Sequence, residues 1–148
     1  MLTAWGPPVI AGVVGSFGSR RAPKVYARLE KPVWAPRAWL FGPVWTALYA
    51  SIGVAGRRMV RDAVPARLWG LHGGQLLLNA VWPWVFFTVR DKRASLTVIA
   101  MLDAMLAAEI AALARRDRLA ASALAPYLGW SLFATALNAR VSEPGEPR

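Results

Sequence analysis

The sequence contains no cysteine and only one histidine, His72, among its 148 residues. The absence of cysteine excludes thiol catalysis, cysteine-bound metals and iron–sulfur clusters. A single histidine argues against a histidine-rich metal site and against a Ser-His-Asp triad. Charged residues are also scarce, at 18%, whereas an ordinary soluble domain carries about 25%. Together these shortages argue against a soluble enzyme of ordinary composition.

Nucleotide-binding motifs and common hydrolase motifs are missing as well. The chain has no Walker loop, no HExxH, no GxSxG and no Rossmann fingerprint. Energy coupling by ATP within this chain is therefore excluded.

Apolar residues and basic charge are what the chain has in abundance. Hydrophobic residues make up 56%, eight residues are Trp and the net charge is +10, while the mean hydropathy is +0.35. So basic a chain often binds nucleic acid, but here the cations stand in short clusters between long apolar runs. That distribution is typical of a membrane protein whose loops face anionic lipid headgroups, and we expect no nucleic-acid partner.

Five apolar stretches are long enough, or nearly so, to cross a membrane as helices. They cover residues 2–18, 39–56, 68–89, 94–114 and 119–139. A helix rises about 1.5 Å per residue, so about 20 residues cross a hydrocarbon core of about 30 Å. We therefore predict an all-α fold, an integral membrane bundle of five transmembrane helices in one domain over residues 1–140, with a long first loop at 19–38. Short connections elsewhere predict that successive helices are antiparallel neighbours, and the polar tail at 141–148 is expected to be disordered.

The cation distribution predicts the orientation of this bundle. The first loop, the third connection and the tail together hold eleven of the 18 cations, and the other two connections hold seven. The positive-inside rule then places the first loop and the C-terminus in the cytoplasm and the N-terminus outside. No basic amphipathic transit peptide precedes the first stretch, which favours a bacterial inner membrane.

Three of the predicted helices each carry a stripe of aromatic and polar residues on one face. The stripes are Phe41, Trp45 and Tyr49 on the second helix, Gln75, Asn79, Trp82 and Phe86 on the third, and Tyr127, Trp130, Ala134 and Asn138 on the fifth. Spacings of three and four residues place each set on one helix face. Facing one another, the stripes would line a pocket for a large, flat, mostly apolar ligand. They would equally well serve as polar glue between helices, and the spacing leaves both interpretations open.

Three ionisable residues stand inside or near the ends of predicted spans. Asp103 lies near the middle of the fourth helix, and Glu109 follows six residues later. A carboxylate in mid-membrane costs about 2.5–3.5 kcal/mol on insertion scales, and a functional role is the default hypothesis for it. The alternative is a hydrogen bond to a neighbouring helix. His72 is able in principle to ligate a haem iron, although a lone histidine is more often a packing or headgroup residue.

Gly70 and Gly74 form a GxxxG step at the start of the third helix. Glycines at this spacing let two helices approach closely. The step is consistent with a homodimer interface, and packing within the bundle is the alternative.

Four segments carry a resemblance to a known family. Residues 31–36 read KPVWAP, residues 39–49 read WLFGPVWTALY, residues 74–83 read GQLLLNAVWP and residues 126–138 read PYLGWSLFATALN. In this order, and over residues 5–140, the chain resembles the translocator protein family. Its members are also called tryptophan-rich sensory proteins or peripheral-type benzodiazepine receptor homologues.

The resemblance implies a five-helix membrane fold, often dimeric, with a pocket between the helices under the long first loop. Family ligands include porphyrins and haem-pathway intermediates, sterols in some members, and isoquinoline carboxamide or benzodiazepine drugs. By motif position, Trp45, Asn79 and Trp130 match family residues that line the pocket, and Trp82, Phe86 and Ala134 fall on pocket-facing positions. The full candidate ligand-binding set is Trp34, Trp39, Phe41, Trp45, Tyr49, Gln75, Asn79, Trp82, Phe86, Tyr127, Trp130, Ala134 and Asn138.

The expected function is that of a membrane receptor or regulator that binds porphyrins, other haem-type tetrapyrroles or other lipophilic ligands. A cation of the first loop, Arg28 or Lys31, would meet a porphyrin carboxylate. The first alternative is a light-dependent, porphyrin-degrading enzyme, for which the resemblance implicates Trp45 and Trp130 as the catalytic residues. The second alternative is a transporter of small lipophiles. No cofactor or metal is required, and the expected partners are the tetrapyrrole or lipophile, membrane lipids and a second copy of the chain.

Overall fold

The computed structural model describes residues 6, 9–10, 12–13 and 19–142 of the chain. The first predicted span, residues 2–18, lies largely outside the described residues, although residues 6, 9–10 and 12–13 are helical. The tail from residue 143 onward also lies outside them. Val141 and Ser142, which we assigned to a disordered tail, are instead buried. Ser142 is held by two backbone hydrogen bonds with Glu30 of the first loop.

The described residues form an all-helical fold, as predicted, apart from the isolated bridge between Glu30 and Ser142. A 3₁₀ turn at Ser19–Arg21 leads into a short helix α1, Ala22–Arg28, and a second 3₁₀ turn, Ala38–Leu40, leads into α2, Phe41–Arg61. Helix α3 covers Ala66–Pro83 and continues as a π-helix over Trp84–Val89; α4 covers Lys92–Ala114 and α5 covers Arg118–Arg140. Among these residues, three segments are long and apolar enough to cross a membrane, namely Ala38–Arg61, Lys92–Ala114 and Arg118–Arg140.

Aspartates fix the starts of the last two helices. The Asp91 carboxylate accepts a hydrogen bond from the backbone N–H of Ala94 at 2.9 Å. The Asp117 carboxylate accepts from the backbone N–H groups of Leu119 and Ala120 at 3.0 and 3.2 Å. Each side chain satisfies N–H groups that the first helical turn leaves without partners, so the sequence places both helix starts locally.

Helix α2 is longer than the apolar stretch that predicted it, because it continues past Gly56 to Arg61. Arginines do not break a helix, and in its last turn they interact favourably with the helix dipole. Arg58 also forms a two-pronged ion pair with Asp117, with nitrogen–oxygen distances of 2.6 and 3.0 Å. This pair fastens the end of α2 to the start of α5.

Pro83 changes the geometry at the end of α3. Proline has no backbone N–H and its ring crowds the carbonyl four residues earlier, which disturbs a regular helix. Here the chain widens into the π-helix Trp84–Val89 immediately after Pro83. In a π-helix hydrogen bonds join residues five apart, so residues that follow Pro83 depart from the α-helical register.

The helices pack in the order α3, α4, α5, α2. The expectation that successive helices are neighbours is correct for α3, α4 and α5 but not for α2, which packs chiefly on α5 and meets α3 only sparsely in the described residues. Ile52, Leu68, Leu106 and Leu124 form the centre of the hydrophobic core and are fully buried. The arrangement leaves room between α2 and α3 at the end of the bundle that is nearest α1.

Candidate functional site

A cavity of about 350 Å³ lies between α2, α3 and α5, beneath α1. The residues that line it are Gly12, Ala22, Pro23, Tyr26, Ala38, Phe41, Gly42, Trp45, Tyr49, Asn79, Trp82, Pro83, Phe87, Trp130 and Ala134. Ligand pockets in proteins occupy about 300–1,000 Å³ and are mostly apolar with a few polar groups. This cavity has that character, because aromatic side chains form most of its wall.

The floor of the cavity is a hydrogen-bonded triad that joins three helices. The Tyr49 hydroxyl donates to Asn79 Oδ1 at 2.7 Å, and Asn79 Nδ2 donates to the Tyr127 hydroxyl at 2.8 Å. Asn79 and Tyr127 are buried. The triad therefore satisfies a polar amide inside the bundle and fixes α2, α3 and α5 relative to one another.

The walls are aromatic rings in mutual contact. Trp45 lies 5.5 Å from Tyr49 and 6.2 Å from Tyr127, measured between ring centroids. On the other side, Phe41 meets Trp130 edge to face at 5.8 Å. Such contacts hold rings in fixed orientations and leave flat apolar surfaces toward the cavity.

Two indole N–H groups are left without partners in these walls. Trp82 Nε1 and Trp130 Nε1 are buried, and neither donates to a protein acceptor within the described part of the chain. A buried donor without an acceptor costs about 1–3 kcal/mol. A ligand that brought an acceptor atom to these donors would recover that energy, so the cavity favours a largely apolar molecule that carries a hydrogen-bond acceptor.

The roof consists of α1 and the chain that follows it. The Tyr26 hydroxyl donates to the Pro36 carbonyl at 2.7 Å, which ties α1 to the end of the first loop. Burial raises the pKa of the Tyr26 phenol, so it remains a proton donor. Lys31 donates to the carbonyls of Tyr26 and Leu29 at 2.6 and 2.8 Å. Lys31 therefore holds the loop together. Both Lys31 and Arg28, the two cations that we proposed for a ligand carboxylate, are exposed.

Glycine permits a close approach at one point of the wall. A Cβ atom on Gly12 would lie only 3.3 Å from Cε2 of the Tyr49 ring. The backbone at residue 12 thus lies directly against Tyr49, the residue that donates to Asn79. A larger residue at this position would displace the tyrosine from the floor.

Seven of the predicted ligand-binding residues line the cavity. They are Phe41, Trp45, Tyr49, Asn79, Trp82, Trp130 and Ala134. Tyr127 lies beneath them in the hydrogen-bonded triad. The three stripes that the sequence shows on separate helices are therefore brought together at one end of the bundle.

The other predicted residues lie elsewhere. Trp34 packs on Phe133 with a centroid distance of 5.6 Å, and Trp39 is 68% exposed. Gln75 is completely buried toward the opposite end of the bundle, and both of its amide atoms have no partner among the described residues. Asn138 is paired with Ser95 of α4 at 3.2 Å, away from the cavity.

Phe87 takes the place in the wall that the helical spacing assigned to Phe86. Phe86 stacks on the ring of Trp82 at 5.1 Å instead, behind the lining. The π-helix after Pro83 explains the exchange. Its hydrogen bonds join residues five apart instead of four, so the residue that shares a face with Trp82 is Phe87 and not Phe86. In the sequence, Pro83 within the helical stretch was the signal for a change in the helix at this point. The lining residues Ala22, Pro23 and Tyr26 come from the first loop, and no spacing rule predicts them.

Asp103 forms hydrogen bonds to a neighbouring helix, which is the alternative that the sequence analysis left open. The Ser131 hydroxyl donates to Asp103 Oδ1 at 2.5 Å, and the Thr135 hydroxyl donates to Oδ2 at 2.6 Å. Both hydroxyls belong to α5, so the carboxyl group joins α4 to α5. Asp103 is thus satisfied between helices and does not border the cavity.

His72 and Glu109 form a second buried polar pair, between α3 and α4. His72 Nδ1 lies 2.6 Å from Glu109 Oε1, and both side chains are almost fully enclosed. The edge of the Trp69 ring packs on the imidazole at a centroid distance of 5.8 Å. His72 is therefore neither a headgroup residue nor near the cavity, and its Nδ1 pairs with Glu109.

Comparisons with known proteins agree on one family. The profile of the TspO/MBR family matches residues 4–143. The human protein named Translocator protein is 35% identical, over 93% of this chain and 89% of its own length. The Tryptophan-rich protein TspO of Archaeoglobus fulgidus is 37% identical over 86% of this chain and 84% of its own length. The Tryptophan-rich sensory protein of Cereibacter sphaeroides is 30% identical over 93% and 84%. The family match covers nearly the whole chain, and three described helices are apolar enough to cross a membrane. This chain therefore belongs to the TspO/MBR family of membrane proteins.

Proposed function

We propose that this protein is a membrane receptor or regulator that binds a porphyrin or related tetrapyrrole in the cavity between α2, α3 and α5. The observation that carries the proposal is an aromatic-walled cavity that holds two indole donors without protein partners, Trp82 Nε1 and Trp130 Nε1. A tetrapyrrole is a flat, largely apolar disc that carries oxygen acceptors on the substituents at its edge. It would stack against the rings and present acceptors to these donors.

The polar end of such a ligand would point toward the first loop. The cavity, at about 350 Å³, is near the lower end of the range for ligand pockets, about 300–1,000 Å³. A porphyrin that carries carboxylate arms would therefore extend out of it, past α1. Arg28 is exposed at the end of α1, and an arginine in this position forms strong charge-assisted hydrogen bonds to a carboxylate.

Titration with protoporphyrin in the dark tests this function. We expect saturable quenching of tryptophan fluorescence in the detergent-purified protein. The Trp130→Phe variant keeps the ring but removes one unpaired donor, and we expect about fivefold weaker binding from the loss of one hydrogen bond. Trp69→Phe is the matched control, since Trp69 contacts His72 at the opposite end of the bundle. Equal affinities for both variants and the unmodified protein would refute the site.

A second candidate function is light-dependent oxidation of the bound porphyrin. It is favoured by one observation: Trp45 and Trp130 both border the cavity, and both belong to chains of rings in contact. The excited macrocycle would take one electron from the indole of Trp45 or Trp130, dioxygen would add to the reduced macrocycle, and return of the electron to the indole radical would leave an oxygenated macrocycle as the net product of porphyrin and dioxygen. Bleaching of the complex under illumination, faster than that of free porphyrin and slowed in Trp45→Phe and Trp130→Phe, would support this function. A complex that stays stable in light would leave the receptor function alone.

We further propose that the chain crosses a bacterial inner membrane five times. Three spans are long and apolar in the described residues, and α3 with its π-helical extension runs beside α4 over a comparable length. The Glu30–Ser142 bridge places the first loop and the C-terminal end at the same end of the bundle. By the positive-inside rule this more basic end faces the cytoplasm. Cysteines introduced at residues 28 and 62 and labelled with an impermeant reagent should react from opposite sides.

We also propose that two copies associate through the outer face of α3. A Cβ atom added to Gly70 or Gly73 would meet nothing within 4 Å in the described chain, whereas one on Gly74 would meet the Met105 side chain of α4. Leu77 continues the outer face and is 65% exposed. Gly74 thus packs within the bundle, while Gly70 and Gly73 remain available for a second copy. Gly73→Leu should weaken dimer cross-linking, and Gly129→Leu, another glycine with open space, should not.

A further inference from the structure

A basic groove opens at the end of the bundle opposite the ligand cavity. It lies between the start of α3 and the end of α4 and encloses about 740 Å³. Its lining residues are Arg67, Leu68, Leu71, Ala112, Arg115 and Arg116. Three guanidinium groups thus surround a short apolar floor.

The acidic side chains at this end of the bundle pair with arginines outside the groove. The nearby carboxylates belong to Asp62, in the connection between α2 and α3, and to Asp117, in the connection between α4 and α5. Asp117 is bound by Arg58 at 2.6 Å, and Asp62 is bound by Arg61 at 2.7 Å. No ion pair is found for Arg67, Arg115 or Arg116 among the residues that the structure describes. The groove therefore carries uncompensated positive charge.

The groove also stands at the level of the lipid headgroups. Helix α4 is one of the spanning helices and ends at Ala114, so Arg115 and Arg116 directly follow the apolar span. Arg67 is the second residue of α3, which runs antiparallel to α4. Leu71 and Ala112, the apolar part of the lining, lie one turn further toward the membrane interior. Charge at the surface and an apolar floor on the membrane side match the two parts of a lipid molecule.

We propose that this groove binds the headgroup of an anionic phospholipid. The phosphate would be held by Arg67, Arg115 and Arg116, since guanidinium groups bind phosphate oxygens with paired hydrogen bonds. The acyl chains would leave the groove past Leu71 and Ala112 into the bilayer. Basic pockets between membrane helices bind anionic headgroups in this manner. The site is independent of the tetrapyrrole cavity, which lies at the other end of the bundle.

Two double variants separate a specific site from general attraction between a basic protein and anionic lipid. Arg67→Gln with Arg115→Gln removes two charges from the groove. Arg57→Gln with Arg118→Gln removes two exposed charges at the same end of the bundle but outside the groove. The measurement is the affinity of the full-length protein, in neutral detergent, for fluorescent phosphatidylglycerol. We expect about 25-fold weaker binding for the groove variant, because each arginine that is removed takes with it a charge-assisted hydrogen bond to the phosphate, and less than about threefold for the control.

A third variant keeps the charge and closes the groove. Ala112→Trp places a large ring on the floor, and we expect about tenfold weaker lipid binding at unchanged net charge. Circular dichroism and thermal unfolding of each variant report whether the bundle is intact, and the exposed arginine changes should leave the unfolding temperature nearly unchanged.

Competition with inorganic phosphate distinguishes a lipid from a free anion. If the site takes a lipid, phosphate displaces the labelled phospholipid only at concentrations far above those of unlabelled phosphatidylglycerol, because phosphate lacks the acyl chains. Equal losses in the two arginine variants, an unaffected Ala112→Trp protein, or displacement by phosphate as readily as by lipid would each overturn the proposal. A selective loss in the groove variant together with weak competition by phosphate supports it.

Discussion

The two ends of this bundle bury polar groups in different ways. At the end beneath α1, the buried groups are neutral: Tyr49, Asn79 and Tyr127 bond to one another around an aromatic cavity. Toward the opposite end an ionisable pair is buried as well: His72 and Glu109 are enclosed between α3 and α4. At the first end, the polar groups of the cavity floor are hydrogen-bonded to one another, whereas the two indole N–H groups in the walls have no partner among the described residues. The second has its titratable groups paired inside and its unpaired cations at the surface.

The difference separates a binding site from a structural pair. A neutral triad fixes three helices without a net charge, so the space above it can accept an apolar ligand at little electrostatic cost. An enclosed histidine–glutamate pair is costly to disturb, because either partner alone would be a buried group without compensation. We therefore expect substitutions at the cavity end to change ligand affinity more than stability, and substitutions at the other end to do the reverse.

The largest effect on stability is expected from Glu109→Ala. The substitution leaves His72 enclosed between helices without its partner at 2.6 Å. Breaking a buried pair by removing one partner costs about 3–5 kcal/mol, and thermal or denaturant unfolding in detergent would measure the loss.

The double variant His72→Phe with Glu109→Leu is the control for that experiment. Replacing both partners with apolar side chains removes the unpaired group, so most of the lost stability should return. Tetrapyrrole affinity should be unaffected in both proteins. A Glu109→Ala protein as stable as the unmodified one would show that the pair is not structural.

Asn79→Leu should have the next largest effect, on both binding and stability. It removes both hydrogen bonds of the triad and leaves the buried Tyr127 hydroxyl without its donor. The expected loss of stability is about 1–3 kcal/mol, accompanied by weaker porphyrin binding because α2 and α3 are no longer fastened at the floor. Unfolding and fluorescence titration on the same preparation measure the two effects. Unchanged binding would mean that the floor does not shape the site.

Ser131→Ala should have a smaller effect. Thr135 still donates to Asp103 in this variant, so the carboxyl group keeps one of its two hydroxyl partners. Hydrogen bonds between membrane helices contribute about 0.6 kcal/mol on average, and we expect a loss of this size in unfolding measurements. A loss several times larger would show that Thr135 alone does not satisfy Asp103.

The smallest effect is expected at the partly buried ion pair between Arg58 and Asp117, which is identified by its pH dependence. Hydrogen bonding to Arg58 holds the pKa of Asp117 well below its usual range. The stabilisation is therefore fully present above the usual aspartate pKa of about 3.9 and is lost as the pH falls through the lower folded-state value. The difference in Tm between the unmodified protein and Asp117→Asn should be constant above pH of about 5 and shrink only in stronger acid. A difference that vanished near neutral pH would contradict the assignment.

The sequence predicted the parts of the fold that depend on local patterns. Apolar stretches located α2, α3, α4 and α5, and aspartates before α4 and α5 mark their starts. Helical spacing placed Trp45, Asn79 and Trp130 on inward faces. Two packing features escaped it, because they depend on contacts between distant residues: α2 packs on α5, and Glu109 finds His72 on another helix.

The cavity itself was predictable only in part. Its walls follow from residues at regular helical spacing, whereas the roof residues Ala22, Pro23 and Tyr26 belong to an irregular segment. The exchange of Phe86 for Phe87 has a local cause, the π-helix after Pro83, but a proline shows only that a helix is disturbed and not how. The unpaired indole nitrogens are visible only once all neighbours are placed.

Filling the cavity tests the central claim most directly. Ala134→Leu adds bulk to its wall without removing a polar group or a fluorophore, and Ala108→Leu makes the same change at an exposed position of α4. If the cavity binds a tetrapyrrole, protoporphyrin affinity measured by tryptophan quenching in the dark should fall about tenfold or more, equivalent to about 1.4 kcal/mol, in the first variant. It should stay unchanged in the second. The same affinity in Ala134→Leu as in the unmodified protein would show that the ligand binds elsewhere.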